Sequence, residues 1–210
     1  YLSPGARKEK LLERSYARAA GRAPLPYAEL RAASAFSFLD GASLPEDLVA
    51  RAAELGLPAI ALVDRNGVSG APRFYKAARA AGLRALVGAE VVLAGEPGSR
   101  LSLLVESPAG YRNLCKLLTA AARGKPKGAA AASWEEIAEF STGLHLLTGG
   151  DEGPLAATLL GAGTDRLEQA RAWLERLSHL FPGRLHIELQ RHGRREEEHR
   201  NQALTALAAR

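Results

Sequence analysis

Carboxylates come first among the residues of this chain that could do chemistry. Asp40, Asp64, Glu90 and Asp151 each follow an apolar run or sit in a glycine-containing turn. Carboxylates so placed are typical hard-metal ligands and general acid–base groups, and aspartates beside glycine also cap helices and close turns. The imidazoles offer less. His145, His179, His186, His192 and His199 are scattered, and the chain holds no His-x-His, no His-Glu-x-x-His and no paired cysteines. His186, Glu188, Gln190 and His192 would share one face of a strand by alternation. Two imidazoles without a third ligand make a poor metal site, and a solvated strand face gives the same pattern. Cys115 falls with Tyr111, Leu114 and Leu118 on the apolar face of an expected helix, which points to core packing rather than reactivity. As a lone cysteine it excludes an internal disulfide and fits a reducing cytoplasm.

The elements that must position these groups alternate. Tyr27–Arg31 reads as a first strand after the breakers Pro24 and Pro26. Ser43 is the expected N-cap of a helix with Pro45 and Glu46 in its first turn, stopped by Gly56. Pro58–Val63 is a continuous apolar run, the signature of a strand buried on both faces. A loop through Asn66, Gly67 and Gly70 leads to a helix ending near Ala80, and then to a strand over Leu83–Leu93. Further strands are expected at Leu101–Val105, Leu144–Thr148 and Leu185–Leu189. Further helices are expected at Tyr111–Ala121, Leu167–Leu177 and Glu196–Ala209, and Ala129–Ala132 reads as a small linker before Trp134. Strand–helix alternation of this kind predicts an α/β fold with parallel pairing and right-handed crossovers, either an open sheet or a barrel. In both, chemistry gathers at the C-terminal ends of the strands. Arg100 joins that set only if the chain enters its strand from that side.

The 210 residues suffice for one good core, and 47% hydrophobic with 24% charged residues is ordinary for a globular domain. No apolar run approaches a membrane span, and no signal segment opens the chain. The first residue is tyrosine and there is no methionine, as expected of a chain that was cut from a longer one or lacks its start. The formal charge of +5 is uneven. Arg7, Lys8, Lys10, Arg14, Arg18 and Arg22 against Glu9 and Glu13 place +4 on residues 1–22, leaving +1 for the rest. Such an arm can neutralise phosphates and steer association with nucleic acid, and terminal charge runs are also commonly just solvated. Arg123, Lys125 and Lys127 form a second, smaller cluster in a loop.

One stretch narrows the reading. Tyr27-Ala-Glu-Leu-Arg-Ala-Ala-Ser-Ala-Phe-Ser-Phe-Leu-Asp-Gly-Ala-Ser43 resembles the opening motif of PHP domains in bacterial C-family DNA polymerases, the DNA polymerase III alpha type. Ala61-Leu-Val-Asp-Arg-Asn-Gly-Val-Ser-Gly70, Val87-Gly-Ala-Glu-Val91, Leu103 to Leu118 with Gly-Tyr-Arg-Asn-Leu, Leu147-Thr-Gly-Gly-Asp-Glu-Gly153 and Ile187-Glu-Leu-Gln-Arg-His-Gly193 follow in the same order and spacing. The variants most resemble the error-prone, damage-induced branch.

The resemblance implies a distorted (βα)7 TIM-like barrel of the PHP type over residues 23–210, behind a basic arm over 1–22. The last strand or strands, with a closing Asp-x-His motif, are expected beyond residue 210. Active relatives hold up to three metals at the strand ends and act as phosphoesterases or 3′–5′ exonucleases. Carried over by position, the first two imidazole ligands fall on Arg31 and Ala33, the next acidic ligand on Asp40, and the following imidazole on Arg65. The bridging glutamate falls on Glu90, the next imidazole on Arg100, and a Cys or His position on Gly150. Only Asp40 and Glu90 keep ligand chemistry, and two carboxylates without imidazoles do not assemble a polynuclear hydrolytic centre. Arg31, Arg65 and Arg100 are expected to supply the positive charge of the lost metals against Asp40, Asp64 and Glu90, since arginine stays protonated and suits buried carboxylates.

This segment is therefore expected to be non-catalytic, with no metal and no cofactor of its own. Mg²⁺ would belong to the parent polymerase, and Zn²⁺ or Mn²⁺ to this domain only if it were active. The implied partners are the polymerase core of the same chain, DNA through that polymerase, and other damage-response subunits. The implied setting is cytoplasmic replication and repair synthesis, without a membrane. The alternatives are a metal-dependent phosphoesterase or exonuclease, and a nucleic-acid-binding module using the arm residues Arg7, Lys8, Lys10, Arg14 and Arg18.

Overall fold

The computed structural model describes residues 27–96, 98–161, 165–190 and 195–208. Among these, six strands form one sheet in sequence order: β1 (Glu29–Ala32), β2 (Ala59–Arg65), β3 (Arg84–Val92), β4 (Arg100–Val105), β5 (Leu144–Leu147) and β6 (Leu185–His186). The helices are α1 (Pro45–Glu54), α2 (Ala71–Ala80), α3 (Pro108–Ala122), α4 (Trp134–Phe140), α5 (Pro154–Leu160), α6 (Arg166–Leu180) and α7 (Arg195–Ala208), with a 3-10 turn at Gly150–Glu152. The sheet curls into a half-barrel, and the ion pair between Arg31 on β1 and Glu188 just after β6, at 3.1 Å, spans its two edges.

Parallel pairing holds for β1–β2, β2–β3 and β5–β6, but β4 runs antiparallel to both β3 and β5. The short β3–β4 connection leaves no room for the crossover that a parallel pair needs. This reversal brings the start of β4 to the C-terminal end of β3, with Arg100 opposite Val92 and Ser102 opposite Glu90. Two other expectations shift. Leu44, not Ser43, precedes α1, where its N–H donates to Asp47 at 3.4 Å, and the Ser43 carbonyl instead accepts from Ala35. β6 ends at His186 rather than Leu189, because the Glu188 N–H leaves the ladder for the Thr148 hydroxyl at 2.9 Å.

Side-chain alternation sorts the core. Outward-facing Ile60 and Leu62 pack with Val49, Phe74 and Ala78 under α1 and α2. Val91, Leu101, Leu103, Leu144 and Leu146 meet Leu114, Leu117, Ile137, Leu177 and Phe181 under α3, α4 and α6. Inward-facing Ala61, Val63, Leu104 and Leu147, with Leu86, form a smaller plug inside the half-barrel. The concave face is thus layered. Arg31, Glu90, Arg100 and Glu188 lie at one end, the plug in the middle, and Glu106, His145 and His186 at the other, all lining one cavity of about 1280 Å³. Cys115 is half-buried beside the fully buried Leu114, at the margin of the core rather than within it.

Candidate functional site

The strand ends deliver a network of arginines and carboxylates. Glu90, 7% exposed at the end of β3, lies between two guanidiniums. Arg31 Nη2 donates to its Oε1, and Arg100 Nη1 donates to its Oε2 at 3.0 Å. Arg31 also reaches Glu188 at 3.1 Å and Glu152 at 3.5 Å. Arg100 reaches Glu152 at 3.2 Å and Asp40 at 3.3 Å, and Arg65 meets Asp40 at 2.8 Å. Burial works against the charges of Arg31 and Arg100. Glu90, with Glu188 for Arg31 and with Glu152 and Asp40 for Arg100, outweighs it and holds both guanidiniums above their ordinary pKa. Three arginines thus face Asp40, Glu90, Glu152 and Glu188, and the cluster as a whole is anionic by one charge.

Asp64 departs from the expected pairing. It is 1% exposed and takes its hydrogen bonds from the Ser34 N–H (2.7 Å), the Ser34 hydroxyl (2.9 Å) and the Ser37 hydroxyl (2.8 Å), not from an arginine. The reason is orientation. Along β2, Arg65 and Asp64 point to opposite faces, so only Arg65 enters the half-barrel. The serine contacts fold residues 34–43 into a tight loop over the end of β2. Gly41 is pressed there against the Ser34 carbonyl with no room for a Cβ. The Ser37 hydroxyl additionally accepts from the Arg65 N–H at 3.0 Å, and Arg65 Nη2 donates to the Phe38 carbonyl at 2.6 Å.

The remaining positions follow from the turn after β5. Gly149 and Gly150 both take positive φ (88° and 55°), which aims the 3-10 turn so that Glu152 faces the arginines. A Cβ on Gly150 would meet the side chains of Gln190 and Arg31. Asp151 points away from the cluster and pairs with the buried Arg200 of α7 at 2.5 Å, tying the turn down. Ala33 lines the cavity without a polar group.

Three contributors had no role assigned to them from the sequence, although Glu152 and Asn66 lie in strand-end stretches where chemistry is expected. Glu152 lay next to the candidate Asp151, but the handedness of the glycine turn that selects between them is not readable from residue types. Glu188 was assigned to a solvated strand face; the curl of the sheet turns that face inward. Asn66, at φ 50°, donates its N–H to the Glu90 carbonyl at 2.7 Å, accepts from the Val92 N–H at 3.1 Å and donates to the Ala130 carbonyl at 2.7 Å. It fixes the end of β3 and hence Glu90, and its only advance signal was the Asn-Gly pair after a strand.

At the opposite end of the cavity, His145 Nδ1 and His186 Nε2 share a hydrogen bond of 2.9 Å, and Glu106 pairs with Arg184 at 4.0 Å. His192 and the arm residues Arg7, Lys8, Lys10, Arg14 and Arg18 lie outside the described residues. No described helix is long and apolar enough to cross a membrane.

Comparison with known proteins gives the site a context. Residues 29–192 match the model of the PHP domain. The chain is 42% identical over 201 residues to an error-prone DNA polymerase of Mycolicibacterium paratuberculosis, covering 91% of this chain and 18% of that protein. To the error-prone DNA polymerase of Symbiobacterium thermophilum it is 37% identical, covering 87% of this chain and again 18% of the relative. The chain therefore spans less than a fifth of the length of these curated relatives. Among solved structures, a protein of Bifidobacterium adolescentis described as a metal-dependent phosphoesterase aligns with a TM-score of 0.58 at 16% identity, over 90% of this chain and 85% of that one. That likeness concerns the fold.

Proposed function

Because this chain belongs to the PHP domain family, we propose that it is the N-terminal PHP domain of an error-prone DNA polymerase III alpha-type subunit. In this reading it serves cytoplasmic replication and translesion repair synthesis. Its role there is architecture and contact, not phosphoester hydrolysis. Residues 1–22 are then a basic arm and 23–210 the domain. The parent chain would carry the nucleotidyl-transfer activity, its Mg²⁺ and the contact with DNA.

The observation that carries the reading is the placement of Arg31 and Arg100 on the two oxygens of Glu90. A carboxylate that bridges metals needs oxygen lone pairs turned toward them, and here both oxygens already accept from guanidiniums that stand where imidazole ligands are expected. The donor set does not fit a metal cluster. Imidazole is absent from Arg31, Ala33, Arg65, Arg100 and Gly150, and no group of three or more His, Cys, Asp or Glu among the described residues is placed to hold an ion. Nor does the network suit the phosphates of a nucleic-acid end. Its arginines are already neutralised, and the surplus charge is negative. We assign Arg31, Arg65 and Arg100, with Asp40, Glu90, Glu152 and Glu188, the task of joining β1, β2, β3, β4 and the segment after β6. A buried carboxylate left without its partner costs several kcal/mol, about 3–5 by general experience, so such a network holds a sheet in one arrangement.

The test is metal content by mass spectrometry on protein purified without chelator, paired with a nuclease assay in added Mn²⁺ or Zn²⁺. The expected result is far less than one metal per chain and no cleavage. Stoichiometric metal with phosphate release that disappears in Glu90→Ala would overturn the proposal in favour of a phosphoesterase or exonuclease.

A further inference from the structure

The loop between β1 and α1 is rigidly built, yet it presents apolar side chains to solvent. Phe38 is 76% exposed and Leu39 89% exposed, the most exposed large hydrophobic residues among those described. Phe36 is partly tucked against Gly70, and Leu44 continues the apolar surface toward α1. Leu39 holds a φ of 71°, a conformation that costs a residue with a branched side chain of order 1 kcal/mol or more. A slack loop would relax out of it. This loop is prevented from doing so by Arg65 on the Phe38 carbonyl, by Arg65 and Arg100 on Asp40, and by Ser34 and Ser37 on Asp64. Strain maintained by three separate tethers, in order to project two large apolar groups, marks a surface made for contact.

We propose that Phe38 and Leu39 are the anchors of a docking surface for the remainder of the parent polymerase chain. They would insert into an apolar pocket whose rim carries polar side chains. Two observations select this occupant. The relatives that match over most of this chain continue for more than four-fifths of their length beyond the matched part, so a large covalently attached neighbour must be accommodated. The charges beside the two anchors are already paired, Asp40 with Arg65 and Arg100, and Glu152 with Arg100, which leaves no cationic surplus for a phosphate backbone and favours an apolar protein surface. A central apolar anchor within a polar rim is the usual anatomy of a protein–protein contact. The identity of the occupant rests on the polymerase reading above, whereas the docking role rests on the loop itself.

The experiment is hydroxyl-radical footprinting of the full-length parent protein, with primer extension measured on the same preparation. Leu55 (57% exposed) and Tyr75 (56% exposed) serve as internal references. After normalisation to intrinsic side-chain reactivity, labelling is expected to be lost at Phe38 and Leu39 and kept at Leu55 and Tyr75, in a protein that extends primers. Labelling that follows the order of exposure in this chain, with primer extension intact, overturns the docking surface and leaves the polymerase reading standing. Protection without primer extension supports the surface and overturns its assigned occupant. Protection that arises only on adding primer–template makes nucleic acid the occupant and also overturns the proposal.

Discussion

A Cβ on residue 150 would stand 2.8 Å from Nη1 of Arg31, so the guanidinium, with the Gln190 amide nearer still, takes up the space in which any side chain at that position would begin. The two residues, 119 positions apart in sequence, therefore constrain one another. Arg31 can reach Glu90 and Glu188 from β1 because Gly150 leaves the corner open, and Gly150 can take its φ of 55° because it has no side chain to strain.

Gly150→Cys, which restores the kind of side chain the family resemblance places there, is expected to destabilise the fold. The positive φ and the displacement of Arg31 each contribute about 1–3 kcal/mol by general experience. Urea denaturation would read this as a lower midpoint. The double variant with Arg31→Ala is expected to lose less than the sum of the two single changes, because the pair shares one space. Strict additivity would show that Arg31 and Gly150 are not coupled.

Glu90→Ala leaves two guanidiniums facing each other across a buried gap. General figures for breaking a buried ion pair put the loss at about 3–5 kcal/mol. Glu90→Gln, which keeps the shape and two hydrogen-bonding atoms, is expected to lose clearly less. Equal losses in the two variants, by denaturant titration, would mean that packing rather than charge gives Glu90 its importance.

How much of this was legible in the sequence depended on how local the cause was. β2 was readable because its apolar run is continuous, and α3 because its periodicity is local, although the helix begins at Pro108, capped by Ser107, and not at Tyr111. α4 was passed over although Ser133 and Glu136 form a reciprocal cap, with the Ser133 hydroxyl accepting at 3.3 Å and the Ser133 N–H donating at 2.9 Å. Its seven residues were too few to establish a period. The direction of β4 was a question of connection length, and the sequence posed it without answering it. Within the site, Arg31, Arg65, Arg100, Asp40 and Glu90 were identifiable by resemblance to a motif. Glu152 and Glu188 were not, because their inward aim comes from sheet curl and from two left-handed glycines, which are properties of the folded chain. Asp64 shows the converse error. Its residue type suggested an arginine partner, and strand alternation sends it to the serines.

Asp64→Asn keeps the size of the side chain and removes its charge. The carboxylate accepts from the Ser34 N–H and from two hydroxyls, and hydrogen bonds to a charged acceptor are worth about 1.5–3 kcal/mol each in general. The expected outcome is a loss of roughly 2 kcal/mol in stability. Faster amide hydrogen exchange should accompany it at residues 34–41 and not in α6. Uniform acceleration over the whole chain would show that Asp64 supports the fold globally rather than this loop.

The His145–His186 pair predicts a modest acid sensitivity at the other end of the cavity. Burial first, and then the charge of His145, lower the pKa of His186 below its ordinary 6.5. The folded chain therefore resists a proton that the unfolded chain accepts. Stability is complete above that ordinary value and is lost as the pH falls from it through the lowered one. His186 is largely accessible to water, so solvent screening keeps the effect small. Glu106 and Arg184 face this end of the cavity as a pair of their own, 4.0 Å apart. Replacing His186 with glutamine keeps a polar partner for His145 and removes the titration. Urea midpoints measured between about pH 7 and pH 5 are expected to fall more steeply in the parent protein than in His186→Gln. Parallel slopes would place the acid sensitivity elsewhere, and a steeper slope in the variant would reverse the assigned sign.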